Sequence, residues 1–400
     1  MVRLPNGFVC IVGNAYLQKT LRKQLGFMRY LRHLVLSICS CIVLLRTTAM
    51  PCFAAEKIIF RYGVFEESLP VADLRKYAQR EEVSSDLQFF LKFFSREEQK
   101  EFHQALQVKA SLDIVALDKL LNTKLAKEIL SAVSQGIARR DQAGVQALDA
   151  AVIIGANSQE GLGIISFLEA YPSQRLVINV PAVLEIASKL NLSPIEIPPK
   201  DNLSSTPLWQ LEVQYQQFAT QGKQFQACLF GDSVTAEMGN TLGKGTFNFA
   251  LNGISGISLV EQLKLLIPTK IKCEKAVIAI GGNDAWYGLS DSLFANKLQD
   301  SISLVRSLGS NQIFLIPAFY STVAASKDPS ISATNLRVEQ INTVMNQVAI
   351  KNHIPLEIQQ VQSLNENNAL KDDFSSEDGA HLNNEGINIY RQALLKILGI

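Results

Sequence analysis

From about Leu69 to Asn191 the apolar positions recur at a spacing near 3.6 residues, which predicts helices. Ser95-Arg96-Glu97-Glu98 reads as a capping box opening a helix that carries Phe102, Leu106 and Val108. Leu112, Val115, Leu117, Leu120 and Leu121 continue the stripe, and Ala150–Ala156 and Gly161–Leu168 predict further short helical or buried segments. Residues 56–63 predict a short strand ahead of them. The stripe stops at Ser193–Pro207, where Pro194, Pro198, Pro199 and Pro207 stand among Ser204, Ser205 and Thr206. Such a stretch can neither continue a helix nor join a central strand, so it reads as a linker. After Gly222 the pattern alternates. Apolar runs at Ala227–Phe230, Phe247–Leu251, Ala276–Ile280, Ile313–Ile316 and Ile354–Ile358 predict five strands. Between and after them, Leu259–Ile267, Leu293–Leu308, Leu336–Ile350 and Ile387–Leu398 predict helices. Short apolar strands alternating with helices imply an α/β fold built on a parallel sheet covered on both faces. The chain therefore divides into residues 1–55, an α-helical domain at 56–190, a linker at 191–223 and an α/β domain at 224–400.

The first segment differs from the rest in charge. Residues Met1 to Ala55 hold seven Lys/Arg and no Asp or Glu. Removing those seven from 38 basic residues leaves 31 against 37 acidic ones, so the net charge of +1 averages a basic leader with a mildly acidic body. Leu34–Leu45 is an apolar run preceded by Arg29, Arg32 and His33 and followed by Cys52-Phe53-Ala54-Ala55. A basic region, a short apolar core and small residues at a cleavage point are the layout of a secretory signal. A bilayer span needs about 20 apolar residues, so a permanent anchor is the weaker alternative. Starting at Met28 would give a leader of ordinary length, with cleavage after Ala54 or Ala55. The expected location is periplasmic or secreted, with retention at the membrane if the leader stays uncleaved. The acidic body, without basic clusters, excludes nucleic acid as the main partner. Four of the six cysteines lie in the leader, leaving Cys228 and Cys273 in strand-like contexts. They read as buried free thiols, or as one disulfide between neighbouring strands in an oxidising compartment.

Ligands on parallel α/β sheets bind beyond the carboxyl ends of the strands. The first strand of the α/β domain runs into Gly231-Asp232-Ser233, a turn that can expose a serine hydroxyl at the rim of the sheet. The third ends in Gly281-Gly282-Asn283-Asp284, where the glycines permit close backbone approach and the Asn amide is a neutral donor suited to an oxyanion. Asp378-Gly379-Ala380-His381 precedes the last helix. A serine nucleophile needs a base, and the base an orienting acid. Of the four histidines, His33 lies in the leader, His103 in the helical domain and His353 at the amino end of the fifth strand. Only His381 shares the rim with Ser233. Gly239–Gly245 has the wrong spacing for a phosphate loop. No carboxylate/histidine cluster suggests a catalytic metal, and no cofactor is expected.

Together these motifs resemble the SGNH/GDSL hydrolase superfamily of esterases and lipases. Gly231-Asp232-Ser233, Gly281-Gly282-Asn283-Asp284 and Asp378-Gly379-Ala380-His381 match its first, third and last blocks, and Ile254-Ser255-Gly256 looks like the second. The resemblance implies a flavodoxin-like three-layer α/β/α domain with a five-stranded parallel sheet. It implies Ser233 as nucleophile, His381 as base and Asp378 as its orienter. It also implies an oxyanion hole from the Ser233 amide, the Gly256 amide and the Asn283 side chain, with Gly231, Asp232, Gly281, Gly282 and Asp284 in support. Gly253 competes with Gly256 for the second-block position, and spacing favours Gly256. Glu237 stands where many members have glycine. The helical domain, through Glu56–Gly63 and Leu69-Pro70-Val71, resembles a cyanobacterial domain of unknown function usually fused to α/β-hydrolases. The Gly-x-Ser-x-Gly elbow of that usual partner is absent here.

These expectations describe an exported serine esterase acting on acetyl esters of envelope polysaccharide, or on lipid or small acyl esters, with the helical domain associating with the envelope. Two alternatives share the same residues: a non-catalytic envelope binding or scaffold protein with a vestigial site, and an acyltransferase. Ala285-Trp286-Tyr287 offers aromatic surface for a sugar or acyl chain, or packs locally. Ser321–Asn335, after the fourth strand, is a polar loop that could act as a lid or a specificity loop.

Overall fold

The computed structural model describes residues 54–63, 65–137, 144–189 and 200–400. Leader residues 1–53 and the linker residues Pro194, Pro198 and Pro199 lie outside the described residues. The chain forms two compact units that divide between Pro194 and Ile195. Among the described residues no helix is long and apolar enough to cross a membrane.

The first unit holds β1 (Lys57–Tyr62), β2 (Phe65–Pro70), α1 (Val71–Arg80), α2 (Ser85–Leu91), α3 (Arg96–Gln107), α4 (Ile114–Leu121), α5 (Lys124–Gln135), α6 (Gly144–Ala156), α7 (Ile164–Ala170), β3 (Arg175–Asn179) and α8 (Val180–Lys189). The capping box at α3 forms in both directions: Glu98 N–H donates to Ser95 Oγ and Ser95 N–H to Glu98 Oε2. A mainly helical unit with one short strand at 56–63 was expected. Instead β1 pairs antiparallel with β2 and parallel with β3 in a three-stranded sheet. The sequence Phe-Glu-Glu-Ser-Leu-Pro of β2 is almost wholly exposed, so it carries no apolar signal to read. Arg75 on α1 bridges Glu169 and Glu160, and Lys109 joins Glu160 at 3.2 Å. This network ties four segments of the unit together.

The second unit holds α9 (Pro207–Thr220), β4 (Gln224–Gly231), α10 (Ser233–Ala236), β5 (Thr246–Asn248), α11 (Gly256–Leu266), β6 (Lys272–Ala279), α12 (Gly282–Trp286), α13 (Asp291–Ser307), β7 (Gln312–Leu315), α14 (Asn335–Asn352), α15 (Ile358–Val361), β8 (Asn365–Glu366), β9 (Ala369–Leu370) and α16 (Asn384–Leu398). Its main sheet is parallel, in the order β5-β4-β6-β7. Four strands stand where five were expected. At the fifth position the chain makes a single parallel bridge, Leu315 to Leu356. Leu315 N–H donates to Pro355 O at 3.0 Å and Glu357 N–H to Leu315 O at 2.9 Å. Pro355 has no N–H to extend the ladder, and α15 begins at Ile358.

Strand residues alternate between two cores, as a sheet buried on both faces requires. Cys228, Phe230, Ala276 and Ile278 face a core completed by α9, α11, α13 and α14. Ala227, Leu229, Val277 and Ala279 face one completed mainly by α16. The unit is thus an α/β/α three-layer domain, and its strands run 2-1-3-4 in order of appearance. That order places the topological switch point between the ends of β4 and β6. A Cys228–Cys273 disulfide, with Cα atoms 5.8 Å apart, joins these two strands in the core, where free thiols were the first expectation.

Helix α9 lies wholly inside the expected linker. Thr206 Oγ1 caps it by accepting from Trp209 N–H at 3.3 Å, and Pro207 occupies its first turn. Trp209 and Val213 are buried in the core of the second unit. Gln216 and Gln262 of α11 bond to each other at 2.7 Å and share the Phe249 carbonyl. The expected linker therefore becomes structure of the second unit well before residue 224.

Candidate active site

β4 delivers Ser233 to the rim. Gly231 has to be glycine: a Cβ there would come within 2.6 Å of Thr235 Oγ1 and 3.0 Å of Ala279 O. Asp232 caps the following turn by accepting from Val234 N–H at 3.2 Å. Ser233 then opens the four-residue helix α10, so its amide has no intrahelical acceptor. Thr235 Oγ1 lies 3.1 Å from Tyr390 Oη, which fastens this turn to α16.

The segment before α16 brings the base. His381 Nε2 is 2.8 Å from Ser233 Oγ, and His381 Nδ1 is 2.6 Å from Asp378 Oδ2. A carboxylate only accepts, so Nδ1 carries the proton and Nε2 presents its lone pair to the serine hydroxyl. The other Asp378 oxygen accepts from Ser376 Oγ, Ala380 N–H and His381 N–H at 2.6, 2.9 and 3.0 Å. Gly379, at φ +69°, packs so closely on Thr322 that a Cβ would meet Thr322 Oγ1 at 2.5 Å. Thr322 N–H donates to Gly379 O at 2.7 Å, and Ser321 and Thr322 are buried. The loop expected to be a lid is, at this end, a buttress for the His381 turn.

The electrostatics follow from burial and neighbours. Burial works to raise Asp378, but the hydrogen bonds from His381 and Ser376 and the imidazole charge hold it well below the usual carboxylate range. Burial works to lower His381, yet Asp378, with Glu237 and Asp232 behind it, carries it above its ordinary value. Asp232 is pushed up to about 6 by burial, against His381 and three backbone donors.

Asn283, in the turn after β6, and Gly256, in the turn after β5, belong to two turns joined by hydrogen bonds. Gly281 takes φ +125°, and a Cβ would stand 2.8 Å from Ala318 Cβ, which explains that glycine. Asn283 Nδ2 donates to Ile254 O at 3.0 Å, leaving one of its two N–H groups for a ligand. The Gly256 amide, expected to face an oxyanion, instead donates to Asp284 Oδ1 at 2.8 Å. That role is closed to Gly256 unless this bond opens. Gly253, the competitor, sits at φ +75° with its carbonyl accepting from Tyr287 Oη at 2.8 Å. Trp286 Nε1 donates to Pro329 O at 2.9 Å, so both aromatic side chains of this turn are hydrogen-bonded to backbone carbonyls of other loops.

His103 packs edge-on against Tyr77 in the first unit, and His353 caps α14 at φ +55°. Neither joins the site. Asp201, which sequence reasoning passed over as linker, reaches it: its carboxylate bonds to Ser255 and Ser258. Among the described residues no His/Cys/Asp/Glu group has a geometry for holding a metal ion.

Residues 54–179 match a family model described as "Alpha/beta hydrolase of unknown function (DUF1400)". No curated protein matches the chain. Several solved structures are similar. A GDSL-like lipase from Bacteroides thetaiotaomicron aligns over 45% of this chain and 88% of its own at 15% identity, with a TM-score of 0.37. A lipase/acylhydrolase from Enterococcus faecalis aligns over 44% and 96% at 19% identity and a TM-score of 0.35. A variant of a Geobacillus acetyl-xylooligosaccharide esterase aligns over 45% and 96% at 17% identity and a TM-score of 0.34. What the site can do follows from its own geometry.

Proposed function

We propose that the second unit is a serine ester hydrolase, and that the protein is exported. One observation carries the chemistry: the unbroken chain from Ser233 Oγ through His381 to Asp378, at 2.8 and 2.6 Å. In this reading Ser233 Oγ attacks the ester carbonyl carbon while its proton passes to His381 Nε2. The Ser233 amide and the remaining Asn283 N–H face the oxyanion of the tetrahedral intermediate. Collapse expels the alcohol, which leaves with the proton from His381, and the acyl group stays on Ser233. Water then gives a proton to His381 and adds to the acyl carbon. The acid departs and Ser233 recovers its proton. Asp378 stays ionised throughout and holds the imidazole tautomer.

Export is supported by the Cys228–Cys273 bond, because disulfides persist in oxidising compartments. The substrates proposed are acetyl esters of envelope polysaccharide, or lipid or small acyl esters. The test is fluorophosphonate labelling of the full chain beside Ser233→Ala. Labelling and p-nitrophenyl acetate hydrolysis that both vanish in the variant support the reading. A folded wild-type protein that neither labels nor hydrolyses overturns it.

A further inference from the structure

The loop Asn252–Gly256 forms one wall of the site, and four side chains clamp it. Asn283 holds the Ile254 carbonyl, Asp284 the Gly256 amide and Tyr287 the Gly253 carbonyl, at 3.0, 2.8 and 2.8 Å. All three come from the single turn after β6. The fourth is Asp201. Its Oδ2 accepts from the Ser255 hydroxyl, from the Ser258 hydroxyl at 3.0 Å and from the Ser258 amide at 3.3 Å. Ser255 and Ser258 are both fully buried, so their hydroxyls have no water to turn to if that carboxylate leaves. Ser255 is also the N-cap of α11, where an anion is favoured by the helix dipole.

We propose that Asp201, supplied from outside the hydrolase motifs, is a positioning residue for the oxyanion side of the active site; this rests on the ester-hydrolase reading above. The argument is one of constraint. Asn283 must aim its free N–H at the oxyanion while its other N–H stays on Ile254 O. Ile254 directly precedes Ser255, so the carbonyl that orients Asn283 is fixed from one side by Asn283 itself and from the other by the Asp201–Ser255 bond. Asp201 Oδ1 accepts from Leu203 N–H at 3.2 Å, and Leu203 packs against the core of this unit, so the carboxylate is itself held. Leu203 also reaches 3.9 Å from the point where a Gly253 Cβ would stand, adding contact at the other end of the loop. The negative charge of Asp201 is also among the influences that raise Asp284 and Tyr287, which places it in the same electrostatic neighbourhood.

The test compares the full-length protein with Asp201→Ala, Asp201→Asn and Ser258→Ala, on p-nitrophenyl acetate, with turnover normalised to the Ser233 titrated by fluorophosphonate. Normalisation removes any fraction that fails to fold. Asp201→Ala should lose about 10- to 100-fold in kcat per titrated site with KM within about twofold, the size of one partly displaced oxyanion donor. Asp201→Asn keeps an acceptor oxygen for both hydroxyls but turns an NH2 towards the Leu203 amide, and should recover part of the loss. Ser258→Ala should fall in the same direction by less. Full kcat per titrated site in Asp201→Ala would overturn the proposal, and so would a loss confined to the titratable fraction. Wild-type protein that neither labels nor turns over would instead sink the hydrolase reading itself.

Discussion

Replacing Asp284 by asparagine should change the pH dependence of stability in a way that tests the buried carboxylate directly. Asp284 is fully buried; one oxygen accepts the Gly256 amide and Oδ2 has no hydrogen-bond partner. Burial, with the charges of Asp201 and Asp232 added and the Gly256 amide opposing, pushes it up to about 7. The unfolded chain titrates near the ordinary value of about 3.9. A folded pKa raised in this way means that the folded state holds the proton more tightly. The penalty for ionising Asp284 is therefore absent below about pH 4, grows up to about pH 7 and is constant above it. About three pH units at 1.36 kcal/mol each set a ceiling near 4 kcal/mol, and local relaxation brings the expectation to about 2–4 kcal/mol. Asparagine keeps a carbonyl oxygen for Gly256 but places an NH2 where Oδ2 has no partner, at a pH-independent cost of about 1–3 kcal/mol. The readout is accordingly the slope. Between pH 4.5 and 8 the stability of Asp284→Asn relative to wild type should rise by about 2–3 kcal/mol, the first ~1 kcal/mol of the penalty being already present at pH 4.5. Both tryptophans, Trp209 and Trp286, lie in the second unit, so their fluorescence during urea unfolding reports that unit alone. A difference that stays flat with pH would refute the reasoning, because it would mean that the carboxylate is ionised in the folded protein without cost.

Asn283→Ala removes the proposed side-chain donor to the oxyanion and should lower kcat on p-nitrophenyl acetate by about 10²–10³ with little change in KM; full turnover would dismiss that role. The pH profile of kcat/KM should show an acid limb above the ordinary histidine value of about 6.5, because the base must be neutral and Asp378 raises His381. In Asp378→Asn the limb should move to lower pH and the rate should fall, and a limb that did not move would separate Asp378 from the titration.

Much of the fold and of the candidate site is legible in the sequence because both follow from short, strong patterns. Apolar runs of four to eight residues set the strands, and the topology then requires whatever follows β4 and β6 to meet at one rim. That is why Ser233 and Asn283 can be placed at one rim without coordinates, while His381 joins them by elimination among four histidines and by the motif resemblance. The side-chain partners of the loop Asn252–Gly256 are less legible. Nothing in Ile254-Ser255-Gly256 indicates that the Gly256 amide is taken by Asp284, since the partner lies 28 residues away and the bond depends on the angle between two turns. The fifth strand shows the limit of a composition signal. Ile354-Pro355-Leu356-Glu357-Ile358 has the apolar content of a strand, but the proline removes the donor that would lengthen its ladder.

The linker is the instructive failure, because the signal was present and was outweighed. Four prolines between Pro194 and Pro207 argue against regular structure only if each interrupts an element. Proline at the first turn of a helix interrupts nothing, as its missing N–H is one that the helix leaves unpaired anyway. Thr206-Pro207 is that arrangement: a Thr cap accepting from Trp209, then Pro, then apolar positions at Trp209 and Val213 on the face that enters the core. Moving the boundary back to this cap changes the chemistry as well as the topology. Asp201 becomes a residue of the second unit, facing two buried serines at the head of α11, and it joins Asp284 as a second carboxylate bonded to the same loop. Asp284 then owes part of its raised pKa to a residue more than 80 positions upstream. A variant at Asp201 should therefore perturb Asp284 as well, and the pH slope measured for Asp284 should shrink in Asp201→Asn, with the two carboxylates coupled through the loop that they both hold.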